Sequence, residues 1–251
     1  IFLYLNLVRN CEPIEKIRPS ANLPTRIAKI GKALMSLISS IKLSKKLDDV
    51  IICCDDQKIV KVAKKFGAKA LLTSRHHLNG TERICEGYKL LKKKYDFVVD
   101  IQGDEPLLSP HHIDDVIEFH LKNPEADIIL PTLKLNSINN TNIVKVVTDI
   151  KKNVLYLSRS NIPYEFKEVS RYIKKHLSII SFKPDALIEF SRSKQTELEK
   201  IEDIELLRAL ELGMKVKSFK LKGDSFSVDI IDDYHKAKTK IKTDKFFKLY
   251  K

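Results

Sequence analysis

The sequence lacks several features that would assign it to a particular class of protein. No apolar run reaches the roughly 18 residues that a membrane-spanning helix needs, so we expect no membrane insertion. The four cysteines, at positions 11, 53, 54 and 85, include no Cys-x-x-Cys pair, and they indicate neither a zinc site nor a disulfide framework. Internal repeats, low-complexity linkers and zinc-finger, homeodomain or RNA-recognition signatures are also missing. The expectation is a single folded body in the reducing cytoplasm.

The sequence has fewer acidic residues than basic ones. Lysine and arginine total 46 against 33 acids, a net charge of +13, which could favour nucleic acid, membrane surfaces or anionic small molecules. Lysine runs such as 92–94 carry no interleaved aromatic residues on which bases could stack. We therefore interpret most of this charge as solvated surface and do not expect nucleic acid as the partner.

The first half of the chain alternates short apolar strands with amphipathic helices. The predicted strands are residues 1–8, 50–54, 68–72, 97–101 and 127–131, and the predicted helices are 57–66, 82–95 and 111–122. Strands separated by helices of this length are typical of α/β proteins with a mostly parallel, twisted sheet flanked by helices.

The second half has a different pattern. Residues 143–147 and 154–157 flank a charged turn, as in a β-hairpin. They are followed by a predicted strand at 176–182, a helix at 197–212, a strand at 216–221 and a lysine-rich helix at 232–250. We interpret residues 1–251 as one domain with a smaller hairpin-containing insertion at about 132–190.

One acidic motif stands directly after a buried strand. The stretch Phe97-Val-Val-Asp-Ile-Gln-Gly-Asp-Glu-Pro106 runs from apolar residues into Gln102, Gly103 and the carboxylates Asp104 and Glu105. In open α/β sheets ligands bind at the carboxyl ends of the strands, and Mg²⁺ favours carboxylate oxygens. The pattern indicates a cation carrying phosphates, with a solvated acidic turn as the alternative.

Basic segments could bind anions. Arg18, Arg26 and Lys32 lie in a loop that precedes a predicted helix, although the loop has no glycine-rich core and a plain surface loop is the alternative. Arg83 follows Gly80 and Thr81, the predicted N-cap, in the first turn of a helix. Cations are unfavourable at that end, so an anionic partner or a surface ion pair is indicated.

Two further side chains follow predicted strands. Arg159 comes after the second hairpin strand, where it could bind a carboxylate through two hydrogen bonds. Asp229 is a lone carboxylate late in the chain, with a capping or turn role as the alternative.

Taken in order, these segments resemble the 3-deoxy-manno-octulosonate (Kdo) cytidylyltransferases, also called CMP-Kdo synthetases, over roughly residues 47–240. The motifs that carry the resemblance are Asn79-Gly-Thr-Glu-Arg83, Asp100-Ile-Gln-Gly-Asp-Glu-Pro106, Val144-Lys-Val-Val147, Leu155-Tyr-Leu-Ser-Arg-Ser-Asn-Ile-Pro-Tyr164, Lys175-His176, Leu198-Glu199 with Glu202, Glu205 to Arg208, and Val228-Asp229.

The resemblance implies a fold like that of the nucleotide-diphospho-sugar transferases and a Mg²⁺-dependent transfer of CMP from CTP to Kdo. It also implies a homodimer, with sugar binding and dimerisation in the 132–190 insertion. The implied catalytic residues are Asp104, Asp229 and Arg159, of which Asp104 and Asp229 would hold the metal. The implied nucleotide-binding residues are Arg18, Arg26, Lys32, Thr73, Ser74, Gly80, Arg83 and Gln102. The implied sugar-binding residues are Gln102, Arg159, His176, Glu199 and Glu202.

Three departures from the family pattern leave alternatives open. Asn22 stands where the family has an arginine, Leu206 replaces a polar residue, and Ile180 replaces a tyrosine. An apolar replacement cannot hydrogen-bond a sugar hydroxyl, which would shift specificity. The alternatives are a cytidylyltransferase for 8-amino-Kdo or a nonulosonic acid, and a non-catalytic nucleotide- or RNA-binding relative.

Overall fold

A computed structural model describes residues 2–6, 38, 41–65, 67–102, 108–135, 140–168 and 173–223, together with 236, 239 and 240. The strands are β1 (Phe2–Asn6), β2 (Asp49–Cys54), β3 (Lys69–Leu72), β4 (Val98–Gln102), β5 (Ile128–Leu135), β6 (Lys145–Thr148), β7 (Val154–Ser158), β8 (Ile173–His176), β9 (Ile179–Phe182) and β10 (Val216–Lys220). The helices are α1 (Gln57–Lys65), α2 (Gly80–Leu91), α3 (Pro110–Leu121), α4 (Pro184–Arg192), α5 (Glu197–Glu202) and α6 (Leu206–Glu211).

All these strands form one sheet, in the order β3-β2-β1-β4-β9-β5-β8-β6-β7, with β10 added alongside β5. The amino-terminal part is parallel: β1 pairs with both β2 and β4, and β2 pairs with β3. Because β4 and β5 are both antiparallel to β9, they run in the same direction, and β10 is parallel to β5. The carboxyl ends of β1, β2, β3, β4, β5 and β10 therefore lie at the same edge, which is where α/β proteins bind ligands.

The predicted hairpin is present as β6 and β7, which pair antiparallel. Strand β8 links this hairpin to the rest of the sheet because it pairs with β6 on one side and β5 on the other. The 132–190 segment thus adds strands to the same sheet, while its assignment as a sugar-binding and dimerisation insertion stays a prediction. The α/β class with helices flanking the sheet is confirmed, and the antiparallel pairs come from β6 to β9.

The two faces of the sheet are covered by different helices. Alternation along β2 sends Ile52 and Cys54 to one apolar cluster and Ile51 and Cys53 to the other. The first cluster includes buried residues of α1 and α3, and the second includes buried residues of α2, α4 and α6. Packing on both faces explains why the predicted strands read as continuous apolar runs.

Helix α2 differs from its prediction at both ends. Its N-cap is Asn79 rather than Thr81, since the Asn79 side chain accepts a hydrogen bond from the Glu82 backbone N–H. Gly80 and Thr81 are therefore the first helical residues. The helix ends at Leu91 rather than at residue 95, because Lys92 takes a left-handed conformation with φ 52°.

Two other predicted elements are each divided in the structure. The strand expected at 176–182 is interrupted at Leu177 and Ser178, so that β8 can pair with β6 while β9 pairs with β4. The helix expected at 197–212 is broken at Asp203, which adopts a left-handed conformation with φ 52°. Its two halves become α5 and α6.

No helix among the residues described above is long and apolar enough to cross a membrane. Of the predicted helix at 232–250, Lys236, Thr239 and Lys240 are helical, and the other positions lie outside the described residues.

Candidate functional site

Side chains from three strands gather at the carboxyl edge of the parallel sheet. Asp55 follows β2, Thr73 follows β3, and Gln102 ends β4 beside Asn6 of β1. Gln102 is half-buried and donates its backbone N–H to the Ser178 carbonyl at 3.4 Å. The sequence prediction that a buried strand leads into Gln102 is confirmed.

Arg83 reaches this edge from α2 and joins two of the strand ends. Its Nη1 donates to Thr73 Oγ1 at 2.9 Å and to the Ser74 carbonyl at 3.0 Å, and its Nη2 lies 3.3 Å from Asp55 Oδ2. Thr73 Oγ1 in turn donates to the Cys54 carbonyl at 3.2 Å. Arg83 is 2% exposed and Asp55 is 8% exposed, so their ion pair is buried rather than at the surface. Arg83 Nε has no hydrogen-bond partner among the described residues.

The loop between β3 and α2 is anchored by other side chains of that helix. The Ser74 backbone N–H donates to Glu86 Oε2 at 2.8 Å, and the same oxygen contacts His77 Nε2. The Leu78 backbone N–H donates to Glu82 Oε2 at 3.0 Å. The predicted nucleotide-binding residues Thr73, Ser74 and Gly80 therefore lie in or next to a loop whose backbone is fixed by α2.

Arg159 lies at the carboxyl end of β7 and is fixed by Glu202. The Arg159 backbone N–H donates to Glu202 Oε2 at 3.0 Å, and its Nε donates to the Glu202 carbonyl at 2.7 Å. Nη2 donates to the Asp203 carbonyl at 2.9 Å and Nη1 to the Thr141 carbonyl at 3.4 Å. Glu202 Oε1 accepts from Ser158 Oγ at 2.6 Å. The structure thus brings together Arg159 and Glu202, which the resemblance places in the sugar site.

Glu199, a third predicted sugar-binding residue, forms an ion pair with Arg208. Arg208 Nε donates to its Oε2 and Arg208 Nη2 to its Oε1, both at 2.6 Å. Arg208 also donates to Glu82 Oε1 at 3.0 Å, and its Cζ lies 4.3 Å from the centre of the Phe190 ring. Glu199 is 3% exposed. These contacts favour a supporting role for it, and direct reading of a sugar hydroxyl stays a prediction.

His176 ends β8, opposite Thr132 of β5. Its backbone N–H donates to the Val144 carbonyl at 2.9 Å, which places His176 at the same end of the hairpin as Arg159. Burial, with the charge of Lys175, lowers the pKa of His176 to about 4. The imidazole is therefore neutral near pH 7 and can exchange hydrogen bonds, but it does not supply a positive charge.

Five predicted site residues, Arg18, Arg26, Lys32, Asp104 and Asp229, lie outside the described residues. Within the described part of the chain, no group of three or more His, Cys, Asp or Glu side chains could hold a metal ion. The metal and triphosphate assignments stay predictions.

Sequence reasoning missed three residues that organise this region. Asp55 pairs with Arg83, Arg208 pairs with Glu82 and Glu199, and Lys145 donates to the Arg159 carbonyl. Lys145 and Arg208 did stand within family motifs, but a motif gives no partner. Asp55 carried a weaker signal, since it follows a strand at the edge where ligands bind.

The departures Leu206 and Ile180 are both core residues. Leu206 is 2% exposed and Ile180 1% exposed, and both belong to the apolar cluster covered by α2, α4 and α6. Their apolar character is explained by packing. The expected effect of these replacements on sugar specificity stays a prediction, because the burial of the shorter side chains does not show where a tyrosine hydroxyl or a polar group would reach.

Known proteins match this chain in sequence over most of its length. A family model described as cytidylyltransferase matches residues 30–216. The 3-deoxy-manno-octulosonate cytidylyltransferase of Fusobacterium nucleatum is 39% identical over 188 residues, which cover 73% of this chain and 76% of that protein. The Thermodesulfovibrio yellowstonii protein of the same name is 34% identical over 235 residues, covering 88% and 92%.

The fold is similar to that of a solved CMP:2-keto-3-deoxy-manno-octonic acid synthetase complexed with CTP. The TM-score is 0.82 at 21% identity, and the match covers 96% of this chain and 98% of that one. Together with the sequence relatives, this likeness spans most of the chain rather than one motif. The chain therefore belongs to the 3-deoxy-manno-octulosonate cytidylyltransferase family, a family of nucleotidyltransferases.

Proposed function

We propose that this protein transfers CMP from CTP to the anomeric hydroxyl of Kdo and releases pyrophosphate. The observation that carries the proposal is that relatives named for this activity match most of the chain at 31% to 39% identity. The fixed position of Arg159 adds a physical reason, because Kdo is a sugar acid and its carboxylate needs a cationic partner.

Arg159 is suited to bind that carboxylate. A guanidinium has five N–H donors, and three of those of Arg159 go to the carbonyls of Glu202, Thr141 and Asp203. Nη2 also lies 3.6 Å from the carboxylate of Asp203, whose side chain is 98% exposed. Among the described residues, the second donor on each terminal nitrogen makes no hydrogen bond, and such a pair of donors can bind a carboxylate through two hydrogen bonds. The Arg159 side chain is 34% exposed, so a ligand can reach it.

His176 complements Arg159 on the sugar side. Because its imidazole is neutral near pH 7, it would hydrogen-bond a sugar hydroxyl rather than pair with the carboxylate. Glu202 would act mainly by holding Arg159 and Ser158, since both of its carboxylate oxygens accept hydrogen bonds from that segment. This division assigns charge recognition to Arg159 and hydroxyl recognition to His176.

The nucleotide would bind at the carboxyl edge of the parallel strands. Thr73, Ser74 and Gly80 would border the cytosine, with Gln102 between nucleotide and sugar. The unpartnered Nε of Arg83 is a buried donor available to a ligand or to residues outside the described part. The loop residues Arg18, Arg26 and Lys32 would bind the triphosphate, although Asn22 removes one expected cation.

Asp104 and Asp229 would hold Mg²⁺, which takes hard oxygen ligands and is often held by one or two carboxylates. The strand directions support this donor set. Strands β4 and β10, which precede these two residues in the sequence, end at the same edge of the sheet, while Asp104 and Asp229 themselves lie outside the described residues. When bound, Mg²⁺ would neutralise phosphate charge and lower the pKa of the attacking hydroxyl.

The reaction would be a single displacement at the α-phosphorus. A bond forms from the anomeric oxygen to that phosphorus, the bond from phosphorus to the β-phosphate oxygen breaks, and the hydroxyl proton is released. Positioning and charge neutralisation supply most of the catalysis in such transfers. The residues above would therefore act by orienting the two substrates, and no covalent intermediate is required.

Pyrophosphate release tests the activity directly. We expect release with CTP, Mg²⁺ and Kdo, and loss of release when EDTA removes the metal. Asp104→Asn is expected to lower turnover far more than nucleotide affinity. Absence of release with Kdo, 8-amino-Kdo and sialic acid would overturn the proposal, and a preference for one of the last two would replace Kdo as the substrate.

The proposal extends to the setting of the reaction. CMP-Kdo would serve lipopolysaccharide or capsule synthesis, and the protein would act as a homodimer in the cytoplasm. Light scattering coupled to size-exclusion chromatography tests the dimer, because a monomeric mass at micromolar concentration contradicts it.

A further inference from the structure

Lys145, at the start of β6, is a buried lysine that the proposed mechanism does not yet use. It is 1% exposed and is among the largest fully buried side chains of the described residues. Lysine is rarely buried, because removing an ammonium group from water is costly unless other groups compensate for it. Its contacts therefore indicate what the buried charge is for.

The ammonium group donates hydrogen bonds to two backbone carbonyls. Lys145 Nζ donates to the Asn140 carbonyl at 2.8 Å and to the Arg159 carbonyl at 2.5 Å. Burial and the nearby Arg159 charge lower the pKa of Lys145, while Glu202 raises it. Glu202, which holds the Arg159 backbone, is therefore an acidic neighbour of both cations.

The two carbonyls belong to segments that fix Arg159. One is the carbonyl of Arg159 itself, and the other belongs to Asn140, next to Thr141, whose carbonyl accepts from Arg159 Nη1. Lys145 also lies directly opposite Ser158 in the β6–β7 pair. The same ammonium group therefore holds the backbone of Arg159 and the turn that supports its guanidinium.

We propose that Lys145 is a positioning residue that fixes Arg159 for the carboxylate of the sugar acid. This inference rests on the proposed function, because it assigns Arg159 to that carboxylate. A methionine of similar length could fill the same volume, but it would leave the Asn140 and Arg159 carbonyls without this donor, which costs stability. The test therefore compares the two substrates, because a general loss of stability would affect CTP and the sugar acid alike.

Lys145→Met tests whether the sugar acid is affected selectively. We expect the KM for the sugar acid to rise about tenfold or more, because small displacements of a positioning group carry large penalties. The KM for CTP should stay within about twofold of the original value, even though the melting temperature falls because two carbonyls lose their donor. The matched control is Lys217→Met on β10. The Lys217 side chain is 16% exposed and donates to Asn123 and Glu125, which are not among the partners of Arg159.

A second measurement does not depend on turnover. Arg159 Nε donates to the Glu202 carbonyl, so its N–H should give a resolved signal in an isotope-labelled arginine NMR spectrum, assigned by its loss in Arg159→Lys. We expect Lys145→Met to shift or broaden this signal and Lys217→Met to leave it in place. If Lys145→Met does not fold, Lys145→Gln, which keeps a donor for one carbonyl, should show the same changes to a smaller extent.

The outcomes separate the two proposals. If the unsubstituted protein releases no pyrophosphate with any sugar acid, the proposed function fails, while the NMR signal still tests the positioning of Arg159. If the protein is active but Lys145→Met leaves the KM for sugar and the Arg159 signal unchanged, the inference is wrong. Equal effects of Lys217→Met would also overturn it, because they would show a general response to losing a partly buried lysine.

Discussion

Arg208 and Glu199 form a buried, two-pronged ion pair in which Nε and Nη2 each donate to one carboxylate oxygen at 2.6 Å. Arg208 is 0% exposed, and its Nη1 also donates to Glu82 in the first turn of α2. It thereby joins α5, which holds Arg159 through Glu202, to the helix that anchors the loop of Thr73 and Ser74. The predicted sugar and nucleotide sides of the site share this one cation.

Replacing Arg208 by Met is expected to lower the free energy of unfolding by about 3–5 kcal/mol, because Glu199 and Glu82 lose their buried partner. Chemical denaturation measures the change. Lys200→Met, at an exposed position on α5, is the control and should change stability by less than about 0.5 kcal/mol. A loss for Arg208→Met no larger than that of the control would contradict the assigned role.

Replacing Arg83 by Met should affect the nucleotide more than the sugar. The substitution removes the donors to Thr73 and Ser74 and leaves Asp55 without this partner. We expect the KM for CTP to rise by about tenfold and the KM for the sugar acid to change little, measured by pyrophosphate release. Lys89→Met, exposed on the same helix, is the control, and equal changes in both KM values for Arg83→Met would argue against a local effect.

Asn79→Ala should destabilise the start of α2. The Asn79 side chain accepts from the Glu82 N–H at 2.9 Å, and loss of such a cap costs about 1 kcal/mol. Asn79→Ser keeps a capping oxygen and should recover most of the loss. Thermal or chemical denaturation of the original protein and of the two variants measures these changes in stability. Identical stability of the Ala and Ser variants would show that the cap contributes nothing.

Glu205 gives the protein a pH dependence that a single substitution can remove. Burial raises the pKa of Glu205 from 4.5 to about 6, so the folded state binds this proton more tightly than the unfolded state does. Its contribution to stability is therefore retained at low pH and lost as the pH rises through about 6. A shift of this size corresponds to about 2 kcal/mol.

The measurement for Glu205 is the free energy of unfolding of Glu205→Gln and of the original protein at pH 4 and pH 7. We expect the variant to gain about 2 kcal/mol relative to the original protein between the two pH values. Glu189→Gln, at an exposed position on α4, controls for the loss of one negative charge. A stability difference that is the same at both pH values would show that Glu205 does not titrate in this range.

Local sequence patterns were sufficient for most elements of this fold. Apolar runs such as 50–54 and 97–101 identify strands buried on both faces, and the hairpin follows from two β-rich segments around a charged turn. The breaks at Leu177 and Asp203 could not be found in this way. The apolar pattern continues through Leu177, and Asp203 takes a left-handed conformation that is usually marked by glycine.

The residues of the candidate site were chosen from sequence motifs, whereas the pairing among them could not be predicted. The motifs identified Arg83, Arg159, Glu199 and Glu202 as important positions. They did not reveal that Glu199 would be paired with Arg208, because a motif does not distinguish a side chain that contacts ligand from one that holds its neighbour. Which carboxylates pair with buried arginines depends on the topology of the sheet and on the helices packed against it.

The long sequence separations in the Arg208 cluster have a consequence for biosynthesis. Arg208 contacts Glu82 across 126 residues, and Asn79 contacts Glu199 across 120. During synthesis from the amino terminus, the start of α2 must wait for these partners until residues 199–208 leave the ribosome. The parallel strands can assemble earlier, yet Glu82 has no Arg208 to pair with until late in translation. The nucleotide side of the protein therefore matures only once residues 199–208 are available.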